Sequence, residues 1–156
     1  EVLLLDSQKG AVASKLLLPD DDDPPVTNLC FNTGGTLLAV LSIVGEVFVY
    51  DVAARRLQTT ISLNTQLAKC MDISPDSRLL ACASSRNMGF RYASDVIVVD
   101  LDSGSRLCQI PAHTTAASAL YFIHGGKVLA SSSYDGSIRL WAVAEATPKN
   151  PKPDSK

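Results

Sequence analysis

LASSSYDGSIRLW, residues 129–141, decides the fold. Small residues lead into Asp135-Gly136. That pair suits a tight turn, because glycine tolerates positive φ and an aspartate side chain can bond its own backbone. Beyond the turn, Ser137-Ile138-Arg139-Leu140 alternates polar and apolar, the period of a strand. The run ends on the only tryptophan, Trp141, which buries a large ring and needs an acceptor for its N–H. Strand, turn, strand is the local reading.

Copies of this pattern lie upstream. Phe31-Asn32-Thr33-Gly34-Gly35-Thr36-Leu37-Leu38-Ala39 lies over Ile73-Ser74-Pro75-Asp76-Ser77-Arg78-Leu79-Leu80-Ala81, and both lie over Phe122-Ile123-His124-Gly125-Gly126-Lys127-Val128-Leu129-Ala130. Ile73 follows Phe31 by 42 residues, and Phe122 follows Ile73 by 49. GEVFVYD at 45–51, SDVIVVD at 94–100 and GSIRLWA at 136–142 also align. Ala39 to Gly45 and Ala130 to Gly136 are each 6 residues, whereas Ala81 to Ser94 is 13. One insertion of 7 in the middle copy therefore accounts for the unequal spacings. A period of about 40–45 residues with four strands per unit is a propeller signature.

The repeat resembles the WD-repeat (WD40-type) family. Ser74-Pro75-Asp76-Ser77 is similar to the family's Ser-Pro-Asp-Gly turn, Ala112-His113 to its Gly-His, and Trp141 to the tryptophan of its Trp-Asp pair. Tyr50-Asp51 and Val99-Asp100 stand where the family has Trp-Asp, so the indole is lost from those copies. The resemblance implies an all-β fold: a WD40-type β-propeller segment of four-stranded antiparallel blades, about three blades plus the end of a preceding one.

Residues 1–18 read as the end of a preceding blade. Residues 19–25 form an acidic loop, where Asp20, Asp21, Asp22 and Asp23 lie between prolines and must be solvated. A first complete blade spans 26–61. A second spans 67–110, with an insertion at 86–92. A C-terminal blade spans 112–146, its fourth strand not evident. Residues 147–156, rich in proline and lysine, read as a disordered tail. In closed propellers of the family the missing strand is commonly supplied by the N-terminus of the chain. Closed propellers hold about four to eight blades. The expectation is therefore a piece of a longer protein, whose remaining blades, or a second copy, close the ring.

Two features invite a functional reading. By position, His113, Ser131, Asp135 and Trp141 resemble the family's structural hydrogen-bond tetrad, which implies contacts running from the Trp141 N–H to Ser131, then His113, then Asp135. Ser133 is the alternative hydroxyl if the register differs by two. A serine, a histidine and an aspartate also suggest a hydrolase, but no G-x-S-x-G elbow is present. The second feature is the insertion, which carries Arg86, Met88, Phe90, Arg91 and Tyr92. Arginine and aromatics are enriched at binding hot spots, and methionine is an adaptable contact. Antiparallel order places this insertion and the acidic run on the same face. The competing reading folds the insertion's aromatics back on their own blade and leaves the aspartates merely solvated.

Composition narrows the function. The net charge of −2 lacks the basic excess of a bulk-charge nucleic-acid binder. No run of 18 apolar residues offers a membrane span. Cys30, Cys70, Cys82 and Cys108 lack C-x-x-C spacing and read as buried free thiols in a reducing compartment, with no metal and no cofactor. His124 reads as an exposed turn residue, and Ala53-Ala54-Arg55-Arg56 as a turn on the opposite face. The resemblance implies a non-catalytic scaffold or adaptor that offers a protein–protein interaction surface within a multiprotein assembly. The alternative is a recognition module for a modified peptide or an anionic lipid. The expected location is intracellular and cytoplasmic, with a cytoskeletal or nuclear site left open.

Overall fold

The computed structural model describes residues 2–5, 8–16, 24–65, 67–87 and 92–143. Asp20, Asp21, Asp22 and Asp23, residues 88–91 of the insertion, and the tail at 147–156 lie outside the described residues. Strands form where branched and aromatic residues alternate between turns, and the sheets follow chain order. β1 (Val2–Leu5) pairs with β2 (Val12–Leu16). β3 (Val26–Phe31), β4 (Leu37–Ser42), β5 (Glu46–Asp51) and β6 (Arg56–Ser62) form the second sheet. β7 (Ala68–Ile73), β8 (Leu79–Asn87), β9 (Tyr92–Asp100) and β10 (Arg106–His113) form the third. β11 (Ala117–Ile123), β12 (Val128–Ser133) and β13 (Ile138–Ala142) form the fourth. Every pairing is antiparallel.

Side chains alternate between the two faces of a strand, so each middle sheet packs on both sides. Leu38, Val40, Phe48 and Tyr50 of the second sheet meet Leu16 of the first. Ala39, Leu41, Val47, Val49 and Ile61 on its other face meet Ile73, Leu80, Cys82, Ile97 and Val99 of the third. Cys70, Ala81, Ala83, Val96 and Val98 then meet Leu120, Phe122 and Leu129 of the fourth. Double-sided burial is why β4, β5, β8 and β9 read as near-continuous apolar runs rather than as clean alternation. The sheets are successive antiparallel blades, and the array is not closed into a ring among the described residues.

The inner strands β3, β7 and β11 belong to different sheets and share no ladder. Side chains join them instead. Thr27 Oγ1 donates to the Ala68 carbonyl at 2.9 Å, and Asn28 Nδ2 to the Lys69 carbonyl at 3.1 Å. The Phe122 N–H donates to Asp72 Oδ2 at 2.7 Å. Each bond satisfies a backbone group that the edge of an inner strand would otherwise leave to water.

Three details differ from the sequence reading. β10 does not end at Ile110 but runs through Pro111 to His113, where His113 pairs with Ser94. The insertion is partly ladder: β8 continues to Asn87 and β9 begins at Tyr92. Cys108 is exposed and Cys30 only partly buried, because Cys108 lies on the outer strand, with a neighbouring strand on one side only. Among the described residues no helix is long and apolar enough to cross a membrane.

Candidate functional site

The β12–β13 turn is built as its sequence implies. Gly136 has φ +80°, and its N–H donates to the Ser133 carbonyl at 3.2 Å. The turn presents Asp135 toward the end of β10. There Asp135 Oδ2 lies 3.1 Å from His113 Nδ1. His113 Nε2 lies 2.8 Å from Ser131 Oγ, and Trp141 Nε1 donates to that oxygen at 2.9 Å. Ser131 sits on β12 opposite Arg139, and Trp141 on β13 opposite Leu129. The chain of bonds therefore joins two sheets, because His113 closes the third and the other three residues belong to the fourth.

Counting donors assigns the protons. Ser131 Oγ accepts the indole N–H, so its one hydrogen is free to reach His113 Nε2. His113 then carries its proton on Nδ1 and donates it to Asp135. One neutral tautomer satisfies every polar atom in the chain. Ser131 is 1% exposed and the His113 side chain 0%, so neither offers a path to a substrate. Ser133 is engaged elsewhere, with Thr115 Oγ1 at 2.9 Å and the Ala116 carbonyl at 2.9 Å.

Ser137 is a further member that the sequence reading missed. Its hydroxyl donates to Asp135 Oδ1 at 2.6 Å and its N–H at 3.0 Å. The Thr114 N–H reaches Asp135 Oδ2 at 3.3 Å. The Ser137 hydroxyl first, then the Ser137 and Thr114 N–H groups and His113, hold the Asp135 carboxyl well below the usual carboxylate range, against a smaller opposing effect of partial burial. An aspartate two residues before a serine is the local signal that could have found it. In the third sheet the corresponding positions are Cys82 and Val99, which join the apolar cluster instead.

The same antiparallel order puts the β4–β5 turn, the β8–β9 hairpin and the β12–β13 turn on one face. Exposed apolar residues crown two of them: Ile43 and Val44 on the first, and Tyr134, 79% exposed, on the last. In the hairpin, Arg86 lies opposite Ala93 and Asn87 opposite Tyr92 in the ladder. This places Arg86 and Tyr92 on the hairpin, while Met88, Phe90 and Arg91 lie outside the described residues. Among the described residues no group of three His, Cys, Asp or Glu side chains could hold a metal.

Residues 104–142, which contain the whole of the bonded chain, match the family described as WD domain, G-beta repeat. Within that stretch the chain carries a WD repeat. Among curated relatives, WD repeat-containing protein 55 homolog of Drosophila melanogaster is 26% identical over 121 residues, covering 74% of this chain and 22% of that protein. Periodic tryptophan protein 2 of Arabidopsis thaliana is 29% identical over 117 residues, covering 74% of this chain and 12% of its own length. Protein LST8 homolog of Drosophila melanogaster is 25% identical over 121 residues, covering 78% and 39%. This WD-repeat chain thus spans about a fifth of the length of the protein 55 homologues. The solved WD40 repeats of RRP9 and the structure of U3-55K each superpose with a TM-score of 0.68 at 23% identity, covering 81% of this chain and 38% of theirs. They share the fold.

Proposed function

We propose that this WD-repeat chain is a non-catalytic interaction platform within a multiprotein assembly, and that partner proteins meet it on the face bearing the β8–β9 hairpin. One observation carries the reading: the insertion extends a strand ladder to Asn87 and Tyr92 on the face where Ile43, Val44 and Tyr134 are exposed. A ladder-supported hairpin is a stiffer platform than a free loop, so less ordering entropy is lost on binding. Arg86, Met88, Phe90, Arg91 and Tyr92 supply the residue types that anchor interfaces, and Asp20, Asp21, Asp22 and Asp23 supply charge for steering. Four free cysteines fit an intracellular, reducing compartment, the cytoplasm or the nucleus.

The absence of catalysis rests on closure. Ser131 and His113 satisfy one another and Trp141, and both are buried. The test is a photo-crosslinking amino acid at position 88 or 90, compared with one at Leu107 on the outer strand. Crosslinks to protein partners from the hairpin positions and none from Leu107 support the reading. Crosslinks from Leu107 alone overturn it.

A further inference from the structure

The third sheet lacks the bonded chain of the fourth, yet it is tied to its neighbour by a different relay. Arg106 Nη2 donates to the carbonyl of Leu63, in the connection leaving the second sheet. Arg106 Nη1 donates to Gln109 Oε1 at 2.5 Å, and Gln109 Nε2 donates to Asp95 Oδ2 at 2.7 Å. Leu63 and Asp95 are both buried.

A β-bulge makes this relay possible. Residues three apart on a regular strand point to opposite faces. In β10, Arg106 pairs with Val99 but Cys108 pairs with Val98, so the register shifts at Leu107. Arg106 and Gln109 are thereby turned to the same face, shared with their partners Val99 and Ile97. Both partners lie in the cluster that packs on the second sheet. A bulge that re-aims a side chain is a recurrent structural use of an extra residue.

The relay ends at the root of the hairpin. Asp95 pairs with Ser84, and the ladder continues through Ser85 and Ser94 to Arg86 and Ala93. We infer that Arg106 and Gln109 are positioning residues, which grip the neighbouring blade at Leu63 and through Asp95 fix the root of the β8–β9 hairpin. The value of that hairpin to a partner rests on the function proposed above. The positioning itself can be read without any partner.

Backbone amide exchange on the full chain tests it. Arg106 and Gln109 are exposed, so Arg106→Ala and Gln109→Ala leave the core intact. Each variant raises exchange at residues 84–87 and 93–95 by about 3–10-fold, the change expected for one net hydrogen bond. Exchange in β12 and β13 stays unchanged, and the double variant exceeds neither single by more than twofold. Unchanged exchange at the hairpin root in both single variants overturns the inference. So does an equal rise across all sheets, or a double variant that multiplies the two single effects. If exchange rises as expected but hairpin crosslinks to partners are absent, the positioning stands and the partner reading fails.

Discussion

Trp141 donates its indole N–H to Ser131 Oγ at 2.9 Å, and that bond decides what the Ser-His-Asp arrangement beside it is for. A serine whose oxygen is capped by a half-buried indole, and whose hydrogen is committed to His113, is a link in a wall. The wall joins the outer strand of one sheet to the middle of the next, where neither backbone ladder reaches.

Ser131→Ala removes one hydroxyl and strands two polar groups, the indole N–H and His113 Nε2. The expected cost is about 1–3 kcal/mol in chemical denaturation. A loss of well under that range would show that the four residues do not act as a unit.

Acid should weaken the same seam. Asp135 is held below its ordinary value of 3.8, the Ser137 hydroxyl being the largest cause. Asp76 and Asp100 are lowered too, through the Ser74 hydroxyl and the Ser103 N–H respectively. A depressed carboxylate contributes stability that is complete above the unfolded value and is lost as pH falls through the folded one. Denaturation followed from pH 7 downward should show stability falling below about pH 4, with a shallower fall in Asp135→Asn. Identical slopes in the two proteins would contradict the role given to Asp135.

Asp72 has the opposite sign. Burial raises its carboxyl above the ordinary value, although the Phe122 N–H bond pulls it back. Asp72→Asn keeps an acceptor for Phe122 and removes a desolvated charge, so it should be neutral or stabilising at pH 7. Asp72→Leu leaves that N–H unpaired and should cost about 1–3 kcal/mol. Equal effects of the two variants would show that the bond between β7 and β11 does not matter.

Gly45 cannot carry a side chain. Its φ is +83°, and a Cβ there would meet the Thr65 carbonyl oxygen at 2.0 Å. Gly45→Ala should cost at least about 2 kcal/mol, combining the left-handed backbone with the clash. Thermal unfolding reads this directly, and an unchanged melting temperature would contradict it.

Burial pushes the thiols of Cys30 up to about 12 and Cys70 up to about 11, and it pushes Cys82 higher still. Thiolate is the reactive form. Iodoacetamide under native conditions should therefore label Cys108, which is exposed, before the other three. Those three should react only once denaturant is added. Native labelling of Cys82 would show that the seam between the second and third sheets opens readily.

Much of this was legible in the sequence, for identifiable reasons. Turns such as Asp135-Gly136 and Ser74-Pro75-Asp76 announce themselves through residues that few other structures tolerate. The equal steps from Ala39 to Gly45 and from Ala130 to Gly136 set the register of two hairpins. His113, Ser131, Asp135 and Trp141 could be picked out because their positions resemble those of the hydrogen-bonded tetrad of the WD-repeat family, although only this copy carries the full set. The Arg106 relay could not, because it depends on a bulge at Leu107 that turns two residues to one face, and no local pattern marks it. Nor could the Asp72–Phe122 bond, which joins residues 50 apart whose only link is that two inner strands come side by side. The exposure of Cys108 escaped notice because an apolar strand reads alike at the centre of a sheet and at its edge.

The most direct test of the proposed platform is a comparison of what the chain captures with and without its hairpin. Replacing residues 86–93 by Asn-Gly closes Ser85 onto Ser94 through a two-residue turn and keeps the blade intact. With melting temperatures matched, quantitative affinity capture should show specific protein partners lost from the variant and retained by Leu107→Ala. The same partners at the same occupancy in both would contradict the assignment of this face as the binding surface.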